Sequence, residues 1–195
     1  MKSTRTENRE QKILKVAAAR QFDLNVVLEN IHDPHNVSAI FRSCDAVGVP
    51  EVSLVYNIEQ FPRIGKKSSA SAFKWVKNKK YKSIEECYSC LRSGGYKIYA
   101  SSISAESKSI YDLDLSENTA IVLGNEHRGV SSDAQKLADE KFIIPMYGMV
   151  QSLNVSVAAA VVLYEALRQR QAKGLYPFGK NKIEEKLLID EWLLK

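Results

Sequence analysis

Five short apolar runs recur along the chain: NVVLEN, EVSLVY, YKIYAS, TAIVLG and KFIIP. They are apolar throughout instead of alternating, which is the pattern of strands covered on both faces. Most are separated by segments whose apolar residues return at helical spacing. Strands and helices alternating in this way build a parallel sheet with helices on both sides. The predicted fold class is therefore α/β, a mainly parallel sheet flanked by helices. In such open sheets, ligands bind beyond the carboxyl ends of the strands. Three places then matter: the loop into Asn36, the turn after Leu123 and the loop after Ile144.

The helical segments are read from the same periodicity. Residues 5–20 form a first helix through Ile13, Val16, Ala17 and Arg20. DPHNVSAIFRSCDAVG turns and then runs as a helix through Val37, Ile40, Phe41, Cys44 and Val47, with Gly48 as its stop. Residues 57–71 read as a loop rich in Lys and Ser. IEECYSCLRSGG and SSDAQKLAD read as helices, a long helix runs from about Ser152 to Ala172, and NKIEEKLLIDEWLLK closes the chain as an amphipathic helix. The expected organisation is a basic helical extension over 1–20, an α/β domain over 21–172 and a helical extension over 173–195.

Charge is segregated along this plan. Residues 1–20 carry six Lys/Arg against two Glu, residues 63–82 carry eight basic residues and no acid, and residues 168–186 carry six against two. These segments hold +16 and leave −11 for the rest of a chain whose net charge is +5. An acidic body with basic segments suits a polyanionic partner such as nucleic acid. The longest apolar run, Val157 to Tyr164, has eight residues, against the roughly 18 that a membrane span needs. The N-terminus has no apolar signal core, so the protein is expected to be cytoplasmic. The three cysteines, Cys44, Cys87 and Cys90, do not form a disulfide framework. Cys87 and Cys90 make a lone CxxC without the second pair that a structural zinc site requires. They read as helix cysteines or as a redox pair, and no metal site is expected.

Three segments could carry chemistry. In HNVSAIFRSCDAVG, Asn36 suits a helix N-cap. Arg42 lies opposite Ile40, Phe41 and Cys44, and shares its side with Ser38 and Asp45, so an Arg42–Asp45 surface ion pair is one reading. In IVLGNEHRGVS a strand runs into Gly124, and Gly129 follows after four residues. No Lys-Ser/Thr follows Gly129, so this is not a Walker loop, nor is it GxGxxG. Glycines there permit close backbone approach. In IPMYGMVQSLNVSVAAA, the polar Gln151, Ser152 and Asn154 crowd the entry of an apolar helix. Met146 and Met149 are core fillers or pocket walls, and the helix N-terminus is a docking place for a polar or anionic ligand.

Taken together, in this order and spacing, NVSAIFRSCDA, VLGNEHRG and IPMYGMVQSLNVSVAAA resemble the three motifs of the TrmH/SpoU branch of the SPOUT methyltransferases, over about Asp23 to Gln171. The resemblance implies an α/β fold with a deep trefoil knot near the C-terminus, S-adenosyl-L-methionine as methyl donor, and a homodimer formed through the knot region. The basic first helix, LENIHDPHNVSAIFRSCDAVGV and YEALRQRQAKGLYP are most similar to members that methylate a guanosine ribose at position 18, in the D-loop of tRNA. Carried over by motif, Asn36, Arg42, Glu126, Ser152 and Asn154 are the implied catalytic residues. Ser101, Leu123, Gly124, Ile144, Met146 and Leu153 are the implied cofactor contacts. Arg5, Arg9, Lys12, Arg20, Arg168 and Arg170 are the expected tRNA contacts, with no DNA and no membrane partner. Ser71 stands where relatives frequently have Gly, and Phe73 where they frequently have a polar residue. The alternatives are the same chemistry on ribosomal RNA or a tRNA wobble nucleotide, and a non-catalytic RNA-binding protein on the same fold.

Overall fold

The computed structural model describes residues 4–62, 72–177 and 181–195, with side chains from residue 6 onward. Ser71, the side chain of Arg5 and most of the Lys/Ser-rich loop lie outside the described residues. Seven strands form one sheet in the order β3-β2-β1-β6-β4-β7-β5. They are β1 (Leu24–Glu29), β2 (Glu51–Val55), β3 (Lys77–Tyr81), β4 (Lys97–Ser101), β5 (Lys108–Ser109), β6 (Thr119–Leu123) and β7 (Glu140–Ile143). Every pairing is parallel. From β1 the chain builds outward to β2 and β3, then returns to lay β6 against the other side of β1, with Val26 opposite both Val52 and Ile121. The order therefore reverses between β1 and β6. The crevice beyond their carboxyl ends is where a doubly wound sheet binds its ligand.

Helices cover both faces. On one side α2 (Pro34–Val47) and α6 (Val155–Ala172) pack over Val26, Leu28, Leu54, Ile121 and Leu123. On the other, α4 (Ile84–Ser93) and α5 (Ser132–Leu137) pack over Val27, Val55, Ile98 and Val122. Strands β1 and β6 are buried at every position, which is why they read as unbroken apolar runs. Ile13 and Ala17 of α1 (Thr4–Ala18) pack with Leu188 and Trp192 of α7 (Lys182–Leu193), so the two terminal helices share a small core of their own. Among the described residues, no helix is long and apolar enough to cross a membrane.

The structure departs from the periodicity in several places. Strand β3, KNKKY, exposes four of its five residues at the sheet edge. With no apolar run, it had no strand signature. Strand β5 is a two-residue edge strand inside what reads as a polar connector. A single helical turn, α3 (Ala72–Trp75), precedes β3. Asn36 is not the cap of α2: Asp33 accepts from the His35 N–H at 2.8 Å, Pro34 opens the helix, and Asn36 sits inside the first turn. Gly48 ends α2 in the left-handed region (φ 81°), as its position predicts. Helix α6 begins at Val155, three residues later than expected, with Asn154 as its cap.

Two of the expected RNA contacts are also overturned. Arg20 is wholly buried. It pairs with the Asp45 carboxylate and donates to the Val49 carbonyl at 3.2 Å, with its guanidinium 5.1 Å from the Trp192 ring centroid. Arg170 is wholly buried as well, paired with Asp23. Neither can reach a phosphate. Both tie the terminal helices and their junctions to the α/β body, where a planar five-donor group satisfies several carbonyls at once.

Candidate active site

The second and third motif segments converge on one cavity of about 670 Å³ at the carboxyl ends of β4, β6 and β7, and the first is tied to it by hydrogen bonds. All six expected cofactor contacts line it: Ser101, Leu123, Gly124, Ile144, Met146 and Leu153. Glu126, Ser152 and Asn154 line it too, whereas Asn36 and Arg42 do not. The volume falls in the range of small-molecule and cofactor sites. The walls mix apolar side chains with the backbone of 124–130.

Gly124 has a local reason to be glycine. A Cβ built there would lie 2.2 Å from the backbone of Gly129 and Val130. The turn folds back on itself: the Gly129 N–H donates to the Asn125 carbonyl at 2.8 Å, and Gly129 has φ +68°. The close approach that the glycines permit is thus first of all to the chain itself.

Asn36 reaches the cavity through its partners. Its Nδ2 donates to Glu126 Oε1 at 2.8 Å, and its Oδ1 accepts from Asn154 Nδ2 at 3.0 Å. Glu126 also accepts from the N–H groups of His32 (2.9 Å) and Asp33 (3.1 Å). Asn154 uses its own Oδ1 to cap α6, accepting from the Ser156 N–H at 2.9 Å. One relay of side chains therefore links the first turn of α2, the loop after β6 and the start of α6. Each is at a strand's carboxyl end or a helix entry, far apart in sequence.

The Glu126 carboxyl feels opposing influences. Burial alone would raise its pKa. Hydrogen bonds from Asn36 and from the backbone N–H groups of His32, Glu126 itself and Asp33 outweigh that, and hold it below the ordinary value of 4.5. An ionised acceptor with its lone pairs occupied in this way orients loops. A depressed folded-state pKa stabilises the fold fully above the unfolded value, and that contribution disappears as the pH falls through the folded one. Glu126→Gln replaces an acceptor oxygen by an NH₂ that must face N–H donors. Because Glu126 is only partly buried and water screens the exchange, the expected destabilisation at pH 7 is about 1 kcal/mol. Melting curves of the two proteins should converge as the pH is lowered below 4.5.

Arg42 is exposed on α2, and no hydrogen bond or ion pair engages it among the described residues. The Arg42–Asp45 pair does not form, because Asp45 is taken by Arg20 from the other side. Ser152 and the segment 147–154 are exposed, with Met149 fully so; Met149 therefore fills no core gap within one protomer.

A second layer was not visible in the motifs. Asn30, at the end of β1, has φ +51° and accepts at Oδ1 from the N–H groups of Asn57, Ile58 and Glu59, each at 3.2 Å. Asn125 Nδ2 donates to the Asn30 carbonyl at 2.8 Å, and Glu59 receives His32 Nδ1 (2.7 Å) and Arg128. This network locks the loops after β1, β2 and β6 together. An asparagine closing an apolar strand was the one available signal, since Asn tolerates the left-handed region. Ser102 and Gln135, bonded at 2.7 Å, complete the cavity wall after β4. The strand-end rule alone pointed to that loop.

Comparison with known proteins agrees with this geometry. A tRNA (guanosine(18)-2′-O)-methyltransferase of Thermus thermophilus is 45% identical over 193 residues, covering 98% of each chain. The crystal structure of the A. aeolicus TrmH/SpoU tRNA modifying enzyme superposes with a TM-score of 0.90 and 37% identity, over 97% of this chain and 96% of that one. The SpoU methyltransferase AviRb from Streptomyces viridochromogenes, in complex with the cofactor AdoMet, superposes at a TM-score of 0.69 with 27% identity, over 78% of this chain and 62% of that one. The family model for the SpoU rRNA Methylase family matches residues 23–164, a span that holds the reversing sheet, the cavity and the Glu126–Asn36–Asn154 relay. The chain belongs to that family.

Proposed function

We propose that this protein transfers a methyl group from S-adenosyl-L-methionine to the ribose 2′-hydroxyl of guanosine 18 in the D-loop of tRNA. The observation that carries the reading is one cavity walled by the second and third motif segments and tied to the first by the Asn36–Glu126 and Asn36–Asn154 hydrogen bonds, in a chain 45% identical over nearly its whole length to an enzyme named for that reaction. The cavity suits the cofactor: Leu123, Ile144, Met146 and Leu153 offer apolar and backbone contact, and Ser101 and the 124–130 backbone offer polar groups. The bound cofactor supplies an electrophilic methyl on a sulfonium. The deep trefoil knot belongs to the same proposal, supported by the TM-score of 0.90 to a TrmH/SpoU enzyme.

The chain's own groups supply positioning and charge stabilisation. Glu126 and Asn36 hold the loop walls, and Asn154 fixes the entry of α6 while facing the cavity. Ser152 sits at the mouth, where a ribose would enter. Arg42, free of Asp45, offers a guanidinium to the oxyanion that develops as the 2′-hydroxyl attacks. A guanidinium only donates hydrogen bonds, so the proton leaves to an RNA phosphate or a neighbouring side chain. Holding two substrates in attacking geometry accounts for much of the rate. Because the reacting group is a 2′-hydroxyl, DNA is not a substrate.

The tRNA is held electrostatically. Arg9 and Lys12 are exposed on α1; Arg168 is exposed but bonded twice to Glu165 at 2.8 Å. A second copy of the chain covers α6. That helix is apolar nearly all round, yet Val157 is 48% and Tyr164 53% exposed, beside the exposed Tyr147, Met149 and Val150. A monomer in sedimentation at micromolar concentration would overturn that part. The work is cytoplasmic, where tRNA is.

Incubation with labelled S-adenosyl-L-methionine and a set of tRNA transcripts, with mapping of the methylated ribose, tests the whole. Label is expected at guanosine 18 and absent when its 2′-hydroxyl is missing. Arg42→Lys is expected to lower kcat by about a hundredfold or more with cofactor affinity unchanged. Near-normal turnover in that variant would exclude the guanidinium role.

A further inference from the structure

Phe73 belongs to the single helical turn α3 before the edge strand, and the structure gives its ring a definite place. The ring lies flat on Phe41, with centroids 3.9 Å apart and planes 16° from parallel. Phe41 is wholly buried in α2, so one face of Phe73 is spent on the core. The opposite face points away from it, and Phe73 is only half-buried. Phe41 immediately precedes the exposed Arg42 in the same helix.

Basic groups accompany the ring. Lys74 follows it and is exposed. Lys80 of the edge strand β3 is opposite Leu54, a member of the α2-side core, and so lies on the α2 side of the sheet. Its ammonium is 5.4 Å from the Phe61 ring centroid, and Phe61 meets Tyr56 edge-on at 5.1 Å. Tyr56, Phe61 and Phe73 are all half-buried and pack against that one core cluster. Half-buried aromatic rings and the exposed Lys80 therefore share the α2 side of the sheet, and the exposed Lys74 follows Phe73 in the chain.

This chemistry selects among partners. Lysine is depleted in the cores of protein interfaces, and a lysine-rich edge strand resists pairing with another strand. Splayed RNA bases, by contrast, stack on flat aromatic faces while lysines meet the flanking phosphates. We infer that the outer face of Phe73 stacks on an unpaired base of the RNA substrate, with Lys74 and Lys80 on the adjoining backbone. The inference rests on the tRNA reading above and adds a base-contacting residue to it.

The test is tRNA binding by the full-length protein, measured apart from methyl transfer, for Phe73→Ala, Phe73→Leu and Phe73→Tyr. Leucine keeps apolar packing on Phe41 but has no π face. Alanine and leucine are expected to weaken tRNA binding about tenfold or more and tyrosine to stay within about twofold of the parent, with cofactor affinity unchanged in all three. Leucine binding tRNA like the parent, or tyrosine losing as much as alanine, would overturn the inference. So would altered self-association with unchanged tRNA affinity, which would make the surface a protein interface. A parent protein that binds tRNA but methylates nothing would refute the activity and leave the stacking result standing.

Discussion

Arg170→Ala is expected to lower the melting temperature by about 10 °C or more and to reduce cofactor and tRNA binding together. The side chain is wholly buried. Its Nε donates to the Leu115 carbonyl at 3.0 Å, Nη1 to Gln21 Oε1 at 3.1 Å, and Nη2 to the carbonyls of Asp23 (3.1 Å) and Glu117 (2.7 Å), while Nη1 also pairs with the Asp23 carboxylate. Truncation leaves a nearly buried carboxylate and several acceptors facing one another. Breaking a buried pair from one side costs about 3–5 kcal/mol, a large share of the roughly 5–15 kcal/mol that stabilises a domain. In a chain of this size each kcal/mol shifts melting by about 2–4 °C. Arg170→Lys should recover only part, because an ammonium cannot satisfy a fork of acceptors. Lys173→Ala is the control: that side chain is 50% exposed and its partner Asp114 55%, so melting should stay close to the parent's. If Arg170→Ala melted like the parent and lost tRNA binding alone, the buried placement would be wrong.

Gly124→Ala should weaken cofactor binding about tenfold or more. The added carbon would sit 2.2 Å from the backbone of Gly129 and Val130, and no side-chain rotation relieves a clash with main chain. The turn must open, and it carries Glu126 and one wall of the cavity. Overpacking of this kind costs about 1–3 kcal/mol or more. Here the cost falls on the element that lines the site. Calorimetric titration with S-adenosyl-L-methionine is expected to show affinity reduced by at least about tenfold, since 1.4 kcal/mol is a factor of ten. Gly148→Ala, where nothing lies within 4 Å of the added carbon, should bind like the parent.

What could be read from the chain depended on how much of each signal was local. The central strands β1 and β6 are buried on both faces, so their residues had to be apolar, and the α/β class followed from them. Edge strands are under no such demand. β3 is held by backbone pairing to β2, with register Glu51↔Lys77 to Val55↔Tyr81, and its lysines point to solvent. The six residues expected to contact the cofactor all line the cavity, and each is at a strand end or in a motif segment. Charge was less informative: Arg20 and Arg170 count as basic residues in sequence like Arg9 and Lys12, but the fold buries the first pair and exposes the second.

The sequence alone determined the five apolar strands, the main helices between them and the positions of the three motif loops, because burial and backbone geometry act residue by residue. Tertiary structure alone decided which distant groups meet. Asn36 and Glu126 are 90 positions apart and Asn36 and Asn154 are 118 apart, yet they form one hydrogen-bonded relay. Asp45 pairs with Arg20 from 25 positions away, leaving its helical neighbour Arg42 free. No local pattern encodes such pairings. They depend on strand order and helix packing, which bring loops separated along the chain to one end of the sheet.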